Sequence, residues 1–512
     1  MKNKKVYVIL IVLILIGSLF LTYNIYQNKN KVIKTKKRKQ NNLAIMIKED
    51  GATDYTKSNS KDIPKGNYVL NRDKSYCKNN GKIGEYDSTL GKVSFSFIGT
   101  DSCYLYFDYD SEPKGYEKIL LDNGNGATTV NEAKAYIEGK GIPDFSATAT
   151  TNEGMYAKED DYTATTGMKS YYFRGAVDNN WVKFGKYIKD IYLAEYEMGY
   201  TFTENCEDDE HVLSCKKIYS IGDDIYWRII RINGDGSVRM IYTGATDPKN
   251  DLSVSESKGV LMTGNMTQIA SVIIPAGVED GAGYQYIYGQ QHGYGKCNSS
   301  NESCTINGNV VYNGIFKQTL DKWYEMTTLA TTNATSIADQ IFCNDRSVTD
   351  GTWSSSPQTL YYAAYTRIEK EKSPILTCPE SSDRFTVNEK IGNGSLNYPV
   401  GLINIDEVVM GGGDGGKNSY LYTNQDYATG SPAAFSYYAA IYAVNSLGRS
   451  TSLCTMDGPV GMRPVISISQ YAKFSGDGTY NNVYTVVNWF SFRYNSKILK
   501  INNLTKFFYL TE

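Results

Sequence analysis

The clearest alternation of apolar and polar positions lies in IYWRIIRINGDGSVRMIYTG, residues 225 to 244. Ile225, Trp227 and Ile229 alternate with Tyr226 and Arg228, NGDG supplies a turn, and Val238, Met240 and Tyr242 alternate on the return, which predicts a β-hairpin. KVSFSF and CYLYFDY, between Tyr68 and Asp108, predict further short antiparallel strands, and Val465, Ile466 and Ile468 in GPVGMRPVISIS predict a buried one. Helical spacing is rarer. Phe316, Leu320 and Trp323 fall at i, i+4 and i+7; SIADQIFC suggests a second short helix through Ile337 and Ile341; TTVNEAKAYIEGKG, residues 128 to 141, suggests a third. A hairpin, then helices, then loop-rich strands describes an α+β protein.

One segment belongs to a different class. Val6 to Tyr26 carries no charge and matches the roughly 20 residues a helix needs to span a bilayer, with no small-x-small cleavage site after it. The division that follows is a transmembrane anchor at residues 1–28, a polar basic stalk at 29–62, a small β-sandwich module at 63–118, a helical connector at 119–164, a mixed domain with long loops at 165–484, and an unassigned tail at 485–512.

Charge and cysteine disagree about which side of the membrane holds the body. Residues 1–40 hold ten Lys and Arg and no acid, so the net −2 of the chain becomes −12 for the remainder. Lys29, Lys31, Lys34, Lys36, Lys37, Arg38 and Lys39 follow the span, which by the positive-inside rule keeps the body in the cytosol. Eight of the nine cysteines, however, fall into close pairs: Cys77 with Cys103, Cys206 with Cys215, Cys297 with Cys304, and Cys343 with Cys378. Disulfides persist outside the reducing cytosol. The expectation adopted is a single-pass cell-membrane protein with an extracellular body. Cys454 is left over, as an unpaired thiol or a partner for an insertion cysteine, and the odd count leaves intermolecular bonding open.

Reaction chemistry is thinly supplied. The chain has two histidines, His211 in an acidic disulfide-closed segment and His292 in YGQQHGYG, and it has no GxSxG elbow and no CxxC, so neither a serine triad nor a zinc site is expected. No metal and no cofactor is predicted. GGGDGGKNSYLYTN, residues 411 to 424, places Gly411, Gly416 and Lys417 as in a phosphate-binding loop, but Asn418 replaces the metal-binding hydroxyl and no helical repeat follows. INIDEVVM would be its entry strand, and the stretch reads as a glycine-rich surface loop. Adjacent Asp406 and Glu407 would point to opposite faces of such a strand. No lysine- and arginine-rich face interleaved with aromatics marks the body for nucleic acid.

YWRIIRINGDGSVRMIY, with SYYFRGAVDNNWVKFG, FCNDRS, LNYPVGLINIDEV and GMRPVISI, resembles a family of bacterial surface proteins over roughly residues 165 to 470. The resemblance implies a C-type-lectin-like domain, similar to the formylglycine-generating-enzyme fold, in which a closing GxRP strand pairs near the domain's start. The insertion at residues 186–224 departs from that pattern. A rigid core displaying loops is implied, without chemistry.

The chain has 44 tyrosines against 17 phenylalanines, and tyrosine offers contact area at small entropic cost. The predicted function is therefore a membrane-anchored extracellular binding or adhesion protein for a glycan, wall polymer or protein ligand, with Tyr420, Tyr422, Tyr427, Tyr437, Tyr438 and Tyr442 as contact candidates. A cell-wall-acting hydrolase and a purely structural envelope protein are the alternatives.

Overall fold

The computed structural model describes residues 42 to 487 except 250–260, 266–302, 350–359 and some shorter stretches. The expected anchor, most of the basic neck, Cys297 and the tail beyond 487 lie outside the described residues. Among the described residues no helix is long and apolar enough to cross a membrane. Helix and strand are mixed, strand predominates, and the chain divides into two compact units, Met1–Glu112 and Pro113–Glu512.

The small unit begins inside what the sequence reading assigned to the stalk. β1 (Asn42–Lys48) runs parallel to β7 (Ser102–Tyr109), from Asn42 opposite Ser102 to Lys48 opposite Asp108. Its apolar positions Leu43, Ile45 and Ile47 have period two, and Ile45 is buried with Leu105 and Phe107. β2 (Thr56–Lys57) pairs with β1, while β3 (Tyr68–Leu70) and β4 (Tyr76–Cys77) pair with β7. The hairpin of β5 (Lys82–Asp87) and β6 (Lys92–Ser96) covers one face of that sheet with Ile83, Tyr86, Val93 and Phe95. A Cys77–Cys103 disulfide joins β4 to β7.

The large unit opens with α1 (Gly115–Asp122) and α2 (Val130–Gly139). Thr129 and Glu132 form a reciprocal capping box that starts α2. Ile119, Leu120, Ala133 and Ile137 are fully buried in the main core, so this region is part of the domain and not a connector to it.

β8 (Asn152–Lys158), β9 (Ser170–Gly175) and β10 (Trp181–Lys186) follow. The insertion folds as antiparallel β11 (Ile191–Tyr196), β12 (Gly199–Thr203) and β13 (Ser214–Tyr219), is closed by Cys206–Cys215, and joins a second nine-stranded sheet through β12. The predicted hairpin is β14 (Asp224–Ile232) and β15 (Val238–Gly244), with a turn at Asn233 to Ser237 in which Gly236 takes φ 86°. It forms the middle of the main sheet. β10 lies on one side and Val465–Ile468 on the other, and β9 pairs with the far end of β14. Tyr484–Val487 runs parallel to β10, which places the start of the predicted tail region inside the domain.

α3 (Ile315–Glu325) buries Leu320 and Trp323. SIADQIFC does not continue helically. Ile337–Ala338 pairs with Val465–Ile468, Phe342–Cys343 pairs with Arg384–Phe385, and Cys343 is bonded to Cys378. Sheet pairing outweighs the weak spacing of two isoleucines. INIDEVVM, read as a strand, is α4 (Ile405–Met410): the Asn404 side chain accepts from Glu407 N–H at 2.7 Å, and the Glu407 carboxylate accepts from Asn404 N–H at 3.1 Å.

Glu407 does more than cap its helix. Arg231 of β14 and Arg239 of β15 are direct cross-strand partners, both buried, and like charges in that register repel. Glu407 Oε1 lies 3.0 Å from Arg231 Nε and 2.6 Å from Arg239 Nε, and Asp160 Oδ2 lies 3.2 Å from Arg231 Nη1. Two cations and two anions thus neutralise one another in the core. Burial alone would raise the Glu407 carboxyl, but Arg239 and Arg231 outweigh it and hold the group below the usual glutamate range.

Glu407→Ala would remove the carboxylate that Arg231 and Arg239 share and is expected to destabilise the large unit by about 3–5 kcal/mol, read as a lowered denaturation midpoint. Because the folded carboxyl titrates below the unfolded one, its contribution is present above the ordinary glutamate pKa and disappears as pH falls through the folded value. Glu407→Gln is accordingly expected to flatten the acid limb of the stability–pH curve.

Candidate functional site

Three of the six predicted contact tyrosines are interior. Tyr420 is 6 %, Tyr427 0 % and Tyr442 3 % exposed. Tyr427 Oη donates to Leu421 C=O at 3.1 Å, and the guanidinium of Arg463, itself buried, sits 5.0 Å from the Tyr427 ring centroid. Arg228 lies 4.2 Å from the Trp181 ring and 5.5 Å from Tyr420, and donates to Asn180 Oδ1 and the Val177 carbonyl. These rings are spent on covering buried guanidiniums. Tyr422 is half-buried; Tyr437 and the side chain of Tyr438 lie outside the described residues.

The glycine-rich stretch is also more internal than a surface loop. Gly411 and Gly412 are buried, and a Cβ on Gly412, at φ 120°, would meet the Gly175 backbone nitrogen at 3.2 Å. A helix enters this loop and Tyr427–Ser436 leaves it as a strand. A phosphate-binding loop needs the reverse order, strand in and helix out, so that helix N-terminal amides face the phosphates.

The carboxylates nearby are committed to arginines. Asp406, one residue from Glu407 on α4, takes Arg367 on both oxygens at 3.1 Å and the Ile375 N–H at 2.9 Å, while Arg367 also reaches Asp345 at 2.7 Å. A cleft bordered by Phe145, Thr148, Glu369, Lys372, Gly412 and Ser450 has a volume of ≈ 70 Å³. That is well below the ~300 Å³ at which ligand pockets begin. The acidic loop around Asp208, Asp209 and His211 is shallow and open, and among the described residues no cluster of three His, Cys, Asp or Glu is set to hold a metal.

The small unit keeps its tyrosines at the surface. With Cys103, Leu105 and Phe107 turned inward, Tyr104, Tyr106 and Asp108 of β7 face outward, on the side of the sheet opposite the β5–β6 hairpin. Tyr76 on β4 pairs across from Tyr104 and stacks on it, ring centroids 5.0 Å apart and planes at 13°. Tyr55 meets Tyr106 edge-on, also at 5.0 Å. Tyr76 is 48 % exposed; Tyr55, Tyr104 and Tyr106 are partly so. Ala44 and Met46 of β1 lie beside Tyr104 and Tyr106 in register.

Polar groups border these rings. Tyr55 Oη donates to Asp108 Oδ1 at 2.5 Å, and Asn71 Nδ2 donates to Asp108 Oδ2 at 2.7 Å and to Tyr55 Oη at 3.0 Å. Asp101 fixes the turn beside the Cys77–Cys103 bond by accepting from the N–H groups of Asn79, Gly81 and Ser102. Burial acts to raise its pKa, but these backbone bonds outweigh it and hold the carboxyl low. The sequence carried this face in the alternation of CYLYFDY, whose outward half is tyrosine.

Comparison with protein-family models, curated proteins and solved structures gives no match.

Tyr420→Ala or Tyr427→Ala is expected to cost about 3–5 kcal/mol of stability, as for other buried aromatics. Tyr76→Ala is expected to stay within about 0.5 kcal/mol of wild type. Chemical denaturation followed by circular dichroism distinguishes the two groups.

Proposed function

We propose that this chain is a membrane-anchored extracellular binding protein in which the open tyrosine face of the small unit contacts a glycan. The observation that carries the reading is the pair of aromatic contacts, Tyr76 with Tyr104 and Tyr55 with Tyr106, lying two residues apart on a sheet face that, among the described residues of the small unit, no second layer covers. A sugar ring offers flat C–H faces edged by hydroxyls, and the stacked Tyr76–Tyr104 pair with Lys78 beside it suits both parts of it. The absence of concavity favours an extended polymer over a small molecule.

Three disulfides support placement outside the cytosol: Cys77–Cys103, Cys206–Cys215 and Cys343–Cys378. The large unit serves as a C-type-lectin-like scaffold, with the closing strand Val465–Ile468 zipped onto β15. Its carboxylates Asp406 and Glu407 act in structure, which argues against the hydrolase alternative at this pair.

Two measurements test the reading. Alkylation of non-reduced, denatured protein isolated from its own membrane is expected to spare all six of those cysteines, and labelling of all six would place the body in a reducing compartment. On a panel of glycans and wall polymers, the full-length chain in detergent is expected to lose binding on Tyr76→Ala/Tyr104→Ala but not on Tyr420→Phe. Unchanged binding in the double variant would overturn the site.

A further inference from the structure

The tyrosine face is also a basic face on an acidic chain. Lys74 Nζ lies 4.5 Å from the Tyr55 ring centroid and Lys78 Nζ lies 5.4 Å from that of Tyr104. Lys48 of β1 and Lys57 of β2 add to them from the same side: Lys48 follows Ala44 and Met46 at period two, and Lys57 pairs directly with Met46. The outward acid of β7 is Asp108, and both its oxygens are already bonded, one to Tyr55 and one to Asn71. Lysine ammoniums held over ring faces keep their charge beside the aromatic surface instead of away from it.

Chain continuity adds a second indication of sign. Residues 29–39 carry seven Lys or Arg and no acid, and they lead within three residues into Asn42, which pairs with Ser102, two positions before Tyr104. The most basic run of the sequence thus immediately precedes β1, the strand in register with Tyr104 and Tyr106, while the remainder carries the net −12.

Resting on the glycan reading above, we infer that the ligand of this face is an anionic carbohydrate polymer, a uronate or sugar-phosphate chain. Its sugar rings stack on Tyr76 and Tyr106, and its carboxylates or phosphates pair with Lys74 and Lys78. The contact is shallow and repeated along the polymer, so affinity comes from several weak subsites engaged together. It is sensitive to salt because the ammoniums are solvent-exposed.

The test uses the full-length chain in detergent, with residues 29–39 either native or with their Lys and Arg changed to Gln, so that binding by the neck is separated from binding by the sheet. The probes are immobilised polygalacturonate, a glycerol-phosphate polymer bearing sugars, a neutral dextran, single-stranded DNA, and vesicles containing phosphatidylglycerol. In the neck-neutral background the two anionic sugar polymers are expected to bind best and to weaken as salt rises. Lys74→Glu/Lys78→Glu and Tyr76→Ala/Tyr104→Ala should each reduce that binding about tenfold, as removal of anchor residues does.

Equal, salt-insensitive binding of dextran would overturn the anionic assignment and leave the glycan reading standing. Binding to vesicles or DNA with none to any sugar polymer would overturn both. Loss of all binding in the neck-neutral background would overturn the site itself and assign the polyanion to the neck.

Discussion

Arg231 and Arg239 face each other across the central hairpin of the large unit, and nothing about that hairpin is stable until their charges are met. Glu407 meets them from the first turn of a short helix far along the chain, and Asp160 meets Arg231 from the opposite flank. The consequence is topological as well as energetic. Because the carboxylate that neutralises the hairpin also caps α4, the position of α4 is fixed relative to the main sheet, and so is the buried glycine loop that follows it. Asp406 extends the arrangement to Arg367 and Asp345. A buried ionic group of this kind is costly to break yet adds modest net stability. Its effect is to specify one arrangement of elements.

That arrangement explains why Tyr420 and Tyr427 are interior. The buried guanidiniums of Arg228 and Arg463, which form no salt bridge among the described residues, lie against rings supplied by Trp181, Tyr420 and Tyr427. Tyrosines in this chain therefore serve at least two distinct physical roles. In the large unit Tyr420 and Tyr427 lie against buried guanidiniums. In the small unit Tyr76, Tyr104 and Tyr106 occupy outward positions of a sheet whose hydrophobic layer, among the described residues, lies on the other side.

What the chain's pattern made legible follows from this distinction. Period-two alternation located β7, β14 and β15, the apolar residues Val465, Ile466 and Ile468 marked a buried strand, and cysteine spacing anticipated the three disulfides seen among the described residues. Arg228 sits where the alternation of Ile225, Trp227 and Ile229 puts a solvent-facing residue, and its burial follows from tertiary partners such as Asn180 and Tyr420 that the local pattern does not show. Asn404 and Glu407 spelled a capping box, but the apolar run beside them resembled a strand. The stalk reading of residues 42–48 failed because a short alternating strand next to a basic, polar segment has too little hydrophobic signal of its own. Parallel pairing with β7, sixty residues on, is what orders it. The candidate site was present in CYLYFDY, yet alternation shows only which residues share a face and not which face stays open.

The proposed division of labour is between a large unit locked by internal charge pairing and a small unit whose aromatic sheet face meets a partner. Hydroxyl-radical footprinting of the full-length chain, with and without saturating anionic sugar polymer, tests it most directly. The account predicts protection concentrated at Met46, Tyr76, Tyr104 and Tyr106, with Tyr420 and Tyr427 unreactive in both states. Protection confined to side chains of the large unit, with Tyr76 and Tyr104 unchanged, would contradict it.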